Sequence, residues 1–209
     1  MSLIYDQILV SQHSPRDGVT LDTVAVHWTA GSGDASTAAR YFRTRHSFPD
    51  GVRLPRASYG YTLGRDSQIV QLVPDDRAAW HAGDGDGALW DGQVSGPRPG
   101  RRFNLRSIGV ALCNAGPLPE ERGGTPARHP KPGIDWRSYE PFPQPQIAAL
   151  AALLAHLVTR HPTLQFVCGH EDITGGKGDP GPLFPWEALD LPSLGLRRVR
   201  RLWPGKTWV

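Results

Sequence analysis

At 209 residues, with 39% hydrophobic and 21% charged side chains, the chain has the size and make-up of a soluble globular domain. It contains no apolar run of the roughly eighteen residues that a membrane-spanning helix needs. The formal charge is +3, but Arg197, Arg198, Arg200, Arg201 and Lys206 cluster at the C-terminus, so the body is near neutral and offers no nucleic-acid face.

The N-terminus, MSLIYDQILVSQHSPRDG, has no basic n-region, and Asp6 and Gln7 interrupt its apolar stretch. It reads as unprocessed, without a secretory signal, and the protein as made in the cytoplasm. Thr23–Trp28 (TVAVHW) is a β-branched run ending in a polar cluster, which predicts a buried strand. Asp34 is an N-cap for a helix through about residue 45, with Ala38, Tyr41 and Phe42 on one face. The runs 59–63 and 68–73, separated by Gly64-Arg65-Asp66-Ser67, predict an antiparallel hairpin. Residues 83–100 hold six glycines and no periodicity, so they read as loop. The run 108–113 (IGVALC) predicts another buried strand.

Eight of the twenty prolines lie between Pro117 and Pro145, which predicts a long surface excursion. Pro145 opens the clearest helix, where Ile147, Leu150, Leu153, Leu154, Leu157 and Val158 recur at three and four before Pro162. The run 164–168 (LQFVC) predicts a strand leading into Gly169-His170. Cys113 and Cys168 each end an apolar run and read as reduced core thiols. The elements sum to an α/β fold, a single mixed central sheet with helices packed on it and long Pro/Gly-rich surface loops. Residues 1–190 form one domain, and 191–209 a basic C-terminal tail rather than a second domain.

The chemistry concentrates where strands end. A lone histidine after a strand is more often structural than a ligand. His170, however, is followed by Glu171, Asp172, Lys177 and Asp179 within ten residues. Two imidazoles and a carboxylate suit zinc, whose catalytic sites use three protein ligands and leave one position for water. His27, His170 and Asp179 would supply that set.

Five segments then carry a resemblance: VAVHWTAG (24–31), ASYGYTLGRDSQIVQLVPD (57–75), AAWHAG (78–83), NLRSIGVAL (104–112) and GHEDITGGKGDPGPLFPW (169–186). In this order they resemble the zinc-dependent N-acetylmuramoyl-L-alanine amidases, which include amidase-type phage lysozymes, muropeptide-recycling amidases and peptidoglycan recognition proteins. The match runs from about residue 14 to 187. The resemblance implies an amidase-like fold and one Zn2+ held by His27, His170 and Asp179. It implies Lys177 and Tyr59 at the reacting carbonyl, as in the phage-lysozyme branch. The substrate it implies is the amide joining the lactyl group of N-acetylmuramic acid to L-alanine of the peptidoglycan stem.

One position departs from the pattern. The recycling enzymes carry a catalytic glutamate in an I-G-I-E-L motif, and here Ala111 stands at that place. Alanine transfers no proton, so the departure favours the Tyr59/Lys177 arrangement. His81, Asn104 and Trp80 are expected as substrate contacts, each against a packing role. Glu171 and Asp172 are expected either behind His170 or as solvated loop charges. His129, like His13, His46, His156 and His161, has no partner in the pattern.

The favoured expectation is a bacteriolytic endolysin of phage type acting on intact wall. The alternatives are a cytoplasmic amidase recycling soluble anhydro-muropeptides and a non-catalytic peptidoglycan-binding module. Non-catalytic relatives typically lack the third metal ligand, and Asp179 is present. The tail is read as a final helix docking Leu196, Val199 and Trp203, with its arginines free for weak contact with an anionic surface. Nothing in the sequence sets the oligomeric state.

Overall fold

The computed structural model describes residues 3, 5–31, 33–44, 57–83, 99–134, 137–202 and 207–208. Seven strands form the main sheet: β1 Asp6–Gln7, β2 Thr23–Trp28, β3 Tyr61–Leu63, β4 Ile69–Gln71, β5 Ser107–Leu112, β6 Phe166–Gly169 and β7 Arg197–Arg198. Their spatial order is β1-β4-β3-β5-β2-β6-β7, and only the β3–β4 hairpin is antiparallel. The mixed α/β sheet expected from the sequence is therefore present, and it is built around β2 and β5.

Alternation along these central strands creates two faces. Val24 and Val26 of β2 and Ile108, Val110 and Leu112 of β5 pack against helix α3, Gln144–Arg160, through Ile147, Leu150, Leu153, Leu154 and Leu157. The intervening residues, Ala25 and His27 on β2 and Ser107, Gly109 and Ala111 on β5, face the other way. That face is covered by α1, Ala35–Thr44, by α2, Pro99–Arg106, and by the short α4, His170–Ile173. Parallel pairing puts Ala111 directly beside His27 and Gly169 beside Val26. Asp34 caps α1 as expected, its carboxylate accepting from the Thr37 amide at 2.7 Å.

Two expectations change. The excursion from Pro117 is not structureless: Pro117–Leu118, Thr125–Ala127 and Arg137–Tyr139 form a small antiparallel sheet. The segment after 190 is not a helix. Leu191–Leu194 make a 3-10 turn, β7 joins the edge of the main sheet, and Arg201–Leu202 pair with Thr207–Trp208. Leu196 and Val199 are buried there as the docking reading requires, while Trp203 and Lys206 lie outside the described residues. So do Arg45, His46 and residues 84–98 of the glycine-rich loop. Both cysteines are free and buried, and no helix among the described residues is long and apolar enough to cross a membrane.

Candidate metal centre and active site

The end of β2, the start of α4 and the loop after α4 meet at one point. His27 Nδ1 and His170 Nδ1 both approach the same oxygen, Asp179 Oδ2, at 3.1 and 3.2 Å. Among the described residues, His27, His170 and Asp179 form a group whose ligand atoms lie within 4.8 Å of one another, and all three are buried. Burial, and next the neighbouring His170, lower the His27 pKa to about 4. Burial would raise the Asp179 carboxyl, but the two imidazoles, His170 foremost, hold it well below the usual carboxylate range. A neutral imidazole beside an ionised carboxylate is the protonation state that a metal requires of its ligands.

The tautomer of His27 follows from a chain of hydrogen bonds behind it. Ser107 Oγ donates to the Phe103 carbonyl at 2.6 Å, so it accepts from His81 Nε2 at 3.0 Å. His81 Nδ1 then carries the lone pair and accepts from His27 Nε2 at 3.1 Å. His27 Nδ1 is left bare, facing a carboxylate oxygen. Two lone pairs at that distance repel unless a cation lies between them, and burial disfavours a proton on the ring. The donor set therefore fits a divalent metal, and neutral nitrogen with carboxylate oxygen fits zinc.

Gly109 makes the chain sterically feasible. A Cβ there would stand 2.5 Å from His81 Cγ, so only glycine leaves room for the ring on β5. This slot was the feature that sequence reading missed. Its signal was the alternation of small residues, Ser107, Gly109 and Ala111, against the apolar Ile108 and Val110.

A cleft of about 680 Å³ opens over the group. It is lined by Tyr59, His170, Lys177 and Asp179, with Trp28 and Tyr41 among its other walls. Tyr59 lies just before β3 rather than on it, its ring 5.0 Å from that of His27 and 5.0 Å from Phe42. Lys177 is exposed to the cleft, two residues from Asp179.

The expected substrate contacts sit farther back. His81 is 4% exposed and lies behind His27. Asn104 Oδ1 accepts from the amides of His81 and Ala82, at 3.2 and 2.9 Å. Trp80 donates its indole N–H to Ser14 Oγ. None of the three lines the cleft. Neither acid after His170 takes its second nitrogen, which has no partner among the described residues. Glu171 faces His129 at 2.8 Å, and Asp172 accepts from the Gly169 and Arg201 amides. Burial, with Glu171 next to it, raises the Asp172 pKa to about 6.

A family model described as N-acetylmuramoyl-L-alanine amidase matches residues 17–182. The N-acetylmuramoyl-L-alanine amidase AmiD of Escherichia coli (strain K12) is 32% identical over 177 residues, which is 84% of this chain and 54% of AmiD. The 1,6-anhydro-N-acetylmuramyl-L-alanine amidase AmpD of Citrobacter freundii is 33% identical over 153 residues, which is 71% of this chain and 65% of AmpD. The chain thus spans between about half and two thirds of the length of these curated relatives. A crystal structure of a selenomethionine derivative of AmpD shares the fold, with a TM-score of 0.63 and 24% identity over 91% of this chain and 93% of that one.

Proposed function

The chain belongs to the N-acetylmuramoyl-L-alanine amidase family, and from that premise we propose that it is a zinc-dependent enzyme hydrolysing the amide between the lactyl group of N-acetylmuramic acid and L-alanine. The observation that carries the reading is the convergence of His27 Nδ1 and His170 Nδ1 on Asp179 Oδ2, beneath a cleft that Lys177 and Tyr59 also line.

His27, His170 and Asp179 would hold the zinc, which when bound supplies Lewis acidity and lowers the pKa of water to about 7. His81 keeps the Nδ1 lone pair of His27 turned toward it. Lys177 places an ammonium beside the reacting carbonyl, where negative charge develops as water adds. Removing one such preorganised donor typically costs about 100- to 1000-fold in rate. Tyr59, packed between His27 and Phe42, lines the same cleft, where its phenol orients the carbonyl or the water. Ala111 brings only a methyl group beside His27, so no carboxylic acid acts from that position.

Two forms of the substrate each have a supporting observation. Arg201 is buried and Arg198 stacks on Trp186, but Ala111 in place of the recycling enzymes' glutamate, together with the exposed Arg197 and Arg200, favours intact wall and an endolysin role. The name of AmpD, which specifies a 1,6-anhydro-muramyl substrate, favours soluble muropeptides. Incubation with sacculi and with anhydro-muropeptides, followed by mass spectrometry, separates them. Free L-alanine amines should appear with glycan strands uncut, and the preferred substrate identifies the role. New reducing sugar ends without new amines would overturn the amidase reading.

A further inference from the structure

Residues 128–131 of the long excursion lie against the loop that carries Lys177 and Asp179. The Lys131 ammonium donates to the carbonyls of Lys177 at 2.6 Å and Thr174 at 3.3 Å. Nδ1 of His129 accepts from the Lys131 amide at 3.1 Å, which puts the ring proton on Nε2. That N–H donates to the Gly178 carbonyl at 3.0 Å, and a Glu171 carboxylate oxygen lies 2.8 Å from the same nitrogen. The fit is close: a Cβ on Gly178 would stand 3.2 Å from Ile134 Cδ1 and 3.3 Å from His129 Nε2. His129 and Lys131 are both buried, although they come from an excursion whose neighbouring residues are largely exposed.

Between Thr174 and Gly178 the loop has few other hydrogen bonds among the described residues. Residues 174–178 belong to no strand or helix. Among the described residues their other anchors are the Thr174 amide on the His170 carbonyl, a turn from the Lys177 amide to the Thr174 carbonyl and the Thr174 hydroxyl on the Ala82 carbonyl, while the Asp179 carbonyl accepts from the Glu171 amide. Fixing the carbonyls of Lys177 and Gly178 fixes the peptide planes on both sides of Gly178, and with them the direction in which Lys177 and Asp179 leave the chain.

We propose that Lys131 and His129 are positioning residues. They clamp main chain 174–178 and thereby set the Lys177 ammonium and the Asp179 carboxylate relative to His27. The inference rests on the amidase reading, and it extends the working site into an excursion outside the five segments that carry the family resemblance. A displacement of about 1 Å in a catalytic group costs on the order of 100-fold in rate, so a clamp of this kind acts on turnover more than on substrate affinity.

The test compares Lys131→Met, which keeps the aliphatic stem, with Lys131→Arg, which keeps the charge. Three readouts are needed: amide hydrogen exchange of metal-free protein, zinc affinity by chelator competition, and kcat and KM on a soluble muramoyl-L-alanine peptide. Lys131→Met should speed exchange over residues 174–179 and leave the β2 peptide protected. It should weaken zinc binding by about tenfold or more, the usual reach of an outer-sphere partner, and lower kcat with KM little changed. Lys131→Arg should recover most of both losses. His129→Leu should act in the same direction, and it carries the test if Lys131→Met does not fold.

A folded variant with wild-type loop exchange, zinc affinity and kcat would overturn the proposal. So would protection lost evenly across the sheet with unchanged kcat, because the strap would then only stabilise the fold. If the wild-type protein cleaves no muropeptide, the amidase reading fails, while the exchange and zinc measurements still decide the clamp.

Discussion

The two imidazoles of the candidate metal centre are held in different ways. His27 sits inside β2, between β5 and β6, and its far nitrogen is secured by His81, itself secured by Ser107. His170 begins a helix of four residues, its far nitrogen has no partner among the described residues, and Asp179 follows nine residues later on a loop. A ligand on a central strand inherits its position from the sheet ladder and needs only its ring orientation fixed. Ligands on a loop need their main chain fixed, and here residues from a distant excursion provide that. Damage on the strand side should therefore be local and electronic, and damage on the loop side geometric.

Asp179→Asn should have the largest effect. It removes the negative charge shared by both imidazoles, and metal analysis should find little zinc and no turnover above background. Retention of stoichiometric zinc would mean that a different group completes the site.

Lys177→Ala comes next. The loop main chain and Asp179 remain, so zinc should stay bound while kcat falls by about 100- to 1000-fold. Near wild-type turnover would place charge stabilisation elsewhere.

The strand side is probed by His81→Leu, which leaves the buried His27 Nε2–H without an acceptor. Zinc affinity should drop by about 10- to 100-fold, and loop exchange should stay unchanged. Gly109→Ala should reproduce that loss indirectly by pushing on the His81 ring. If His81→Leu also loosened residues 174–179, the two halves would not be separable.

Acid gives a smaller and graded effect. Burial keeps His27 neutral in the fold, with a pKa near 4 against 6.5 for an unperturbed histidine. The unfolded chain therefore gains a proton before the folded one does. Metal-free protein should keep this contribution above about pH 6.5 and lose it progressively as the pH falls toward 4. Roughly two to three pKa units correspond to about 3 kcal/mol. Denaturant titrations across that range, with His27→Gln as the reference, measure the slope. A stability that is flat with pH, or that rises in acid, would contradict a neutral buried ring.

Much of this was legible in the sequence. Thr23–Trp28 is the β2 strand to the residue, because β-branched side chains buried on both faces leave an unbroken apolar run. Helix α3 followed from its threes and fours. Strands of two or three residues, such as Pro117–Leu118 and Arg197–Arg198, are too short to display a period, and the latter's charges read as tail. The roles of His129 and Lys131 depend on partners more than forty residues away and left no local signal. His81 stood out as a motif residue, but which way its ring faced depended on Gly109, visible only once β5 was given its faces.

On this reading His27, His170 and Asp179 hold one zinc that serves amide hydrolysis. The most direct measurement strips the protein of metal, titrates zinc back, and follows bound metal and release of L-alanine amines from a muropeptide in the same samples. Activity should rise in step with zinc, saturate at one ion per chain, and be absent in Asp179→Asn. Full activity in the stripped protein, or zinc uptake with no amine release, would contradict this reading.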